Sequence, residues 1–161
     1  MDATTIHMPL KRYFLHPSHY VAPTEDLLVS TILGSCVSVC LYDPVQEKGG
    51  INHFMLPHWH GKGTPSHMYG DYSIEQLIQK MSTMGSSTKH LVAKVFGGSS
   101  STKAHPNIGY QNIEMSKKKL SGHGINITAM NLGGERGRKI IFNTRTGLVR
   151  MKYITYNATI N

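Results

Sequence analysis

Over residues 36–41 apolar and small polar positions alternate strictly: Val37, Val39 and Leu41 fall on one face, Cys36, Ser38 and Cys40 on the other. A two-residue period with β-branched members predicts a strand. The apolar run 27–33 leads into it, and Gly34-Ser35 separates the two halves, which predicts a bend or bulge. Asp43-Pro44 closes the segment and Lys48-Gly49-Gly50 reads as a turn. Residues 51–56 form the expected return strand, ended by Pro57. The whole is a hairpin-like unit.

A different period follows. Ile74, Leu77, Ile78, Met81 and Met84 recur at three- and four-residue spacings, which predicts a helix over 73–84. Ser73 is its expected N-cap and Gly85 its stop. A second helix is expected over 108–120, with Ile113 and Leu120 facing inward. Strands are expected over 90–96, 125–130, 139–143 and 147–153, and a short one over 13–15. No internal repeat or long linker divides the chain. Mostly strands with two central helices predict one α+β domain, with helices packed on a largely antiparallel sheet or pair of sheets.

The 161 residues fit one domain. Charged residues make up 16%, too few for a disordered chain. Lys and Arg number 17 against 9 Asp and Glu, a net +8 that suggests an acidic partner. The basic residues are dispersed, and no helix-turn-helix, zinc-finger or RNA-binding pattern is present, so nucleic acid is not the expected partner. Two cysteines make no disulfide framework. The opening Met1-Asp2-Ala3-Thr4-Thr5 lacks a secretory pattern, and no run approaches the roughly 18 apolar residues of a membrane span. The expected compartment is cytoplasmic, where thiols stay reduced.

Cys36 and His53 are the first candidates for chemistry. They lie 17 residues apart, near the starts of two successive expected strands. If those strands pair, the histidine can serve as base to a cysteine nucleophile and later protonate a leaving group. Gly34-Ser35 favours an unusual backbone turn whose N–H groups could hold an oxyanion. The competing reading is a core cysteine and a strand histidine bonded to a carbonyl. Cys40 reads as core: in a regular strand its Cα lies roughly 13 Å from that of Cys36, too far for a disulfide. His58-Trp59-His60 invites a zinc reading, but no CxxC or HExxH accompanies it, so no metal or cofactor is expected. Gly97-Gly98 and Gly133-Gly134 read as turns needing positive φ rather than phosphate loops. Residues 99–103 read as a loop near the cleft.

At these residues the chain resembles the CheD family of bacterial chemoreceptor glutamine deamidases. The resemblance rests on residues 31–43, around Gly34-Ser35-Cys36-Val37, and on residues 49–57, around Asn52-His53-Phe54. Residues 69–71, 93–98, 107–109, 133–139 and 142–149 add to it, and it spans roughly residues 12–152. It implies a layered α/β sandwich similar to the catalytic domain of the cytotoxic necrotizing factor toxins. It also implies a cysteine hydrolase, a protein-glutamine glutaminase with a Cys–His–Thr triad. Cys36 matches the nucleophile and His53 the base. The third member is either Thr31 or Ser30: uninterrupted strand register favours Ser30, the family's threonine Thr31. Two departures stand out. Asn131 precedes Leu132-Gly133-Gly134 where an acidic residue is expected, and Gln111 stands where a basic one is expected.

The resemblance further implies methyl-accepting chemotaxis receptors as substrates, glutamyl methylesterase activity through the same thioester, and the CheC phosphatase as a partner. The alternative is a CheD-like binding module that regulates a phosphatase or receptor without turnover. The presence of both Cys36 and His53 favours the enzyme.

Overall fold

In a computed structural model the protein is described over residues 8–100 and 107–155. The expected loop residues Ser101, Thr102 and Lys103 and the opening Met1-Asp2-Ala3-Thr4-Thr5 lie outside the described residues. In chain order the elements are β1 (Lys11–Phe14), β2 (His19–Val21), β3 (Leu27–Leu33), β4 (Val37–Asp43), β5 (Lys48–His53), α1 (Gly70–Thr83), β6 (Val92–Gly97), α2 (Ile108–Gly122), β7 (Asn126–Leu132), β8 (Arg138–Asn143) and β9 (Val149–Tyr153).

The strands form two sheets, of order β1-β3-β8-β9 and β2-β5-β4-β6-β7. Among the described strands β1–β3 and β6–β7 pair in parallel and the other pairs are antiparallel, so the sheets are largely antiparallel, as the patterning predicts. Both helices pack on the five-stranded sheet. Its other face meets the four-stranded sheet, giving three layers and two cores. One core, between helices and sheet, gathers Val37, Val39, Leu41, Phe54, Leu77, Met81 and Leu120. The other, between the sheets, gathers Leu15, Val29, Leu33, Cys40, Ile51, Phe96, Ile140 and Phe142. The alternation of β4 thus distributes its side chains: valines and Leu41 toward the helices, Cys36, Ser38 and Cys40 toward the second sheet.

Three sequence expectations are corrected. The run 27–42 is not one bent strand: Gly34-Ser35 carries the chain from one sheet to the other, because β3 and β4 belong to different sheets. Lys48-Gly49-Gly50 is not a turn but the start of β5. Glycine is required there by close packing on both faces. A Cβ on Gly49 would lie 2.8 Å from Phe142 Cζ, and one on Gly50 2.9 Å from Leu77 Cδ1. The first helix starts at Gly70 rather than 73, with Tyr69 as its N-cap residue, and Ser73 is buried inside it, 3.0 Å from His67 Nδ1. The strand β2 escapes the sequence reading because three residues carry too little pattern.

Candidate active site

The Gly34–Cys36 turn is held by its carbonyls. Ser99 N–H donates to Gly34 C=O and Gly98 N–H to Cys36 C=O, each at 2.9 Å. The Ser35 C=O accepts from Asn112 Nδ2 at 3.0 Å. Gly97 and Gly98 have φ of 113° and 72°, and a Cβ on Gly97 would sit 2.2 Å from the Cys36 carbonyl oxygen. Gly97 therefore lets the end of β6 lie against the backbone of Cys36, while Gly98 makes room for α2, where a Cβ would lie 2.5 Å from Ile113 Cγ1 and 2.9 Å from Gly109 O. Among the described residues the N–H groups of Ser35 and Cys36 have no backbone acceptor. Gly34 and Ser35 are exposed and Cys36 is half-buried.

His53 is the last residue of β5, not near the start of a strand as expected. Cys40 pairs with Ile51 and Val37 with Phe54, a register that puts Ser38 opposite His53. Cys36, two residues before Ser38, shares that face. His53 and Cys36 thus look into the same end of the inter-sheet layer. On the β4 side Asn52 Oδ1 accepts from Val39 N–H at 2.8 Å, so a side chain completes the ladder beside His53.

Thr31 is fully buried on the inner face of β3, and its Oγ1 lies 2.7 Å from His53 Nδ1. The same hydroxyl donates to Leu15 C=O at 2.7 Å. A hydroxyl has one proton, so Thr31 must accept from His53, and Nδ1 carries the hydrogen. The lone pair is left on Nε2, a buried atom with no partner among the described residues. Ser30 points to the outer face of the sheet, where it lines a groove of about 400 Å³ with Arg12, Leu28 and Ile141. The register that favoured Ser30 fails because it assumed one continuous strand, whereas Thr31 reaches His53 across the gap between two sheets.

Burial pushes the imidazole of His53 down to about 4, and pushes the Cys36 thiol up, partly offset by its own backbone N–H. The pair therefore rests near neutrality as thiol and free imidazole rather than as an ion pair. Cys40 is buried in the inter-sheet core, its thiol pushed far up by burial. His58 and Trp59 are tied to Asp71 at the start of α1, at 3.6 Å and 3.1 Å, not to Cys36. Among the described residues no cluster of three His, Cys, Asp or Glu could hold a metal ion. Among them, too, no helix is long and apolar enough to cross a membrane.

Sequence reading missed three supports of this site: the Leu15 carbonyl, Asn52 and Asn112. A carbonyl leaves no mark in a sequence. The asparagines show only as polar residues within apolar stretches, a signal without a partner until the fold supplies one.

The family model described as CheD chemotactic sensory transduction matches residues 55–153. A probable chemoreceptor glutamine deamidase CheD of Trichlorobacter lovleyi is 46% identical over 145 residues, 88% of this chain and 89% of the relative. Its namesake in Sulfurimonas denitrificans is 37% identical over 91% of this chain and 97% of that protein. One in Vibrio vulnificus is 38% identical over 88% and 70%. With a family match over more than half its length and relatives this similar over most of it, the chain belongs to the CheD family.

Proposed function

We propose that the chain is a chemoreceptor glutamine deamidase with Cys36 as nucleophile, His53 as base and Thr31 as the residue that orients His53. The observation that carries the reading is the bonded chain Leu15 C=O, Thr31 hydroxyl, His53 Nδ1–H. It leaves Nε2 as a lone pair on the face that bears Cys36. The relatives' names supply the substrate: glutamines of chemoreceptors.

The neutral pair implies general-base catalysis. Nε2 takes the thiol proton as Sγ attacks the glutamine amide carbon. The N–H groups of Ser35 and Cys36 receive the oxyanion. The imidazolium then gives its proton to the departing nitrogen, the C–N bond breaks, and ammonia leaves a glutamyl thioester. Water, deprotonated by Nε2, attacks the thioester, and the thiol is released with glutamate as product. A glutamyl methyl ester enters the same thioester with methanol as leaving group, so methylesterase activity belongs to the proposal. The new carboxylate repels like charges on neighbouring helical positions, which changes the receptor's helix packing.

The chain acts as one unit, with its core over residues 12–152, in the cytoplasm, on the cytoplasmic helices of methyl-accepting receptors. The CheC phosphatase is a further proposed partner. Mass spectrometry of a receptor cytoplasmic fragment tests the reading. Each modified glutamine gains about one mass unit through amide-to-acid conversion, and Cys36→Ala and His53→Ala must each abolish the gain. Turnover by folded Cys36→Ala would overturn Cys36 as the nucleophile, and a wild type that gives no mass gain would leave a binding module.

A further inference from the structure

We infer that Asn112 is a positioning residue that sets the oxyanion donor of this site; the inference rests on the hydrolase reading above. Asn112 is fully buried in the second turn of α2. Its amide nitrogen donates twice, to Ser35 C=O and to Met55 C=O, each at 3.0 Å. One acceptor belongs to the residue before Cys36, the other to the second residue after His53. A single side chain thus joins the turn that carries the thiol to the segment that leaves the base.

The Ser35 carbonyl and the Cys36 N–H belong to the same peptide. In a planar trans peptide they point in opposite directions. Gripping that carbonyl from inside the protein therefore turns the Cys36 N–H outward, to where an oxyanion forms on the carbon bonded to Sγ. The flanking carbonyls of Gly34 and Cys36 are held by backbone donors from the β6 end. Only the middle one depends on a side chain. Asn112 Oδ1 is buried and has no partner among the described residues. The position needs two donors, and an amide brings its oxygen with it.

The helix is placed for this. A Cβ on Gly109 would lie 2.5 Å from Gly98 O and 2.6 Å from Ser99 O. The first turn of α2 therefore rests directly on the loop that holds Gly34 and Cys36, and the next turn brings Asn112 under Ser35.

Asn112→Asp keeps the shape and, ionised, has no donor; Asn112→Ala removes the group. Two reagents separate the roles. p-Nitrophenyl acetate acylates the thiol through a tetrahedral oxyanion; iodoacetamide alkylates it without one. In the folded variants, acylation of Cys36 should slow at least tenfold at pH 7.5, while alkylation stays within about twofold to threefold of wild type. On a receptor fragment kcat should fall with KM unchanged, the pattern of an interaction made only in the transition state. Equal slowing of both reagents would mean general distortion and overturn the inference. So would unchanged acylation, an unacylated wild type, or failure of both variants to fold by circular dichroism. The reagent difference between variants and wild type, with no receptor deamidation by wild type, would keep the positioning role and sink the substrate reading instead.

Discussion

The carbonyl oxygen of Leu15 lies 2.7 Å from Thr31 Oγ1, and that contact decides which nitrogen of His53 carries its proton. Leu15 C=O can only accept, so the threonine hydroxyl must donate to it and receive from Nδ1. A neutral hydroxyl orients the ring but stabilises an imidazolium less than a carboxylate would. As the proposed base, His53 is then neutral at rest.

Thr31→Val should keep the volume and remove the acceptor. A drop of more than tenfold in kcat on a receptor fragment is expected, about 1.4 kcal/mol in the barrier. Thr31→Ser should retain most activity. Ser30→Ala, on the outer face, should leave kcat within about twofold, since the lost hydroxyl touches neither the base nor its orienting bond.

The pH dependence follows from His53. Its pKa is pushed down to about 4 by burial, from an ordinary 6.5. The acid limb of kcat/KM should therefore fall near pH 4, with activity sustained through pH 5.5. The sign for stability is the same. The unfolded histidine takes up a proton below 6.5 while the folded one stays neutral, so stability is full above 6.5 and falls as pH drops toward 4. The gap corresponds to about 3 kcal/mol. Urea titrations of wild type and His53→Gln at pH 7 and 4.5 check it: the substitution should remove a large part of the pH dependence.

The fold class was legible because it is written in periods. Two-residue alternation marks β4, and three- and four-residue spacing marks α1. That Cys36 and His53 would come to one face was legible because a cysteine and a histidine at the ends of two successive strand patterns approach once those strands pair. The choice between Ser30 and Thr31 was not. Parity along one strand cannot tell which sheet the strand joins, and the change of sheet at Gly34-Ser35 reverses the inference. Nor was the strand role of Gly49-Gly50 legible: the pair reads as a turn until Phe142 and Leu77 occupy the space their side chains would need.

The two cysteines should separate cleanly. Cys36→Ala should abolish turnover with little change in stability, because the thiol is half-buried at a rim. Cys40→Ala removes a sulfur from the inter-sheet core and should cost about 1–2 kcal/mol while sparing the chemistry. Denaturation midpoints and deamidation rates measured on the same preparations distinguish them.

Gly97→Ala tests the contact beneath Cys36. The added Cβ would fall 2.2 Å from a backbone oxygen that cannot swing away, at a φ of 113° that disfavours any side chain. Backbone strain of this kind costs about 1–3 kcal/mol. Relief by displacing Cys36 should also lower kcat more than tenfold. Gly122→Ala, with nothing within 4 Å of its Cβ in α2, is the control. It should be neutral, or stabilising by about 1 kcal/mol at most.

Arg138 offers the last prediction. Its side chain is 1% exposed, yet no carboxylate pairs with it among the described residues. The guanidinium donates to the carbonyls of Asn131, Gly133 and Arg136 and to Asn131 Oδ1, and sits 5.6 Å from the Tyr153 ring centroid. A buried charge held only by neutral acceptors is under-compensated. Asn131→Asp would put a carboxylate on the oxygen that Arg138 already grips, making the bond charge-assisted. It would still accept from the Tyr153 hydroxyl, which lies 3.3 Å from Asn131 Oδ1. The expected gain is about 1–2 kcal/mol at pH 7, or a rise in Tm of roughly 2–8 °C for a chain of this size. The cation beside it should depress the new carboxyl's pKa. The gain is then full above the ordinary aspartate value of about 3.9 and disappears as pH falls through the lower folded value. Melting curves at pH 7 and pH 2.5 should show Asn131→Asp above wild type only at the higher pH. A variant no more stable than wild type at pH 7 would mean that the carbonyls and the Tyr153 ring already compensate the charge.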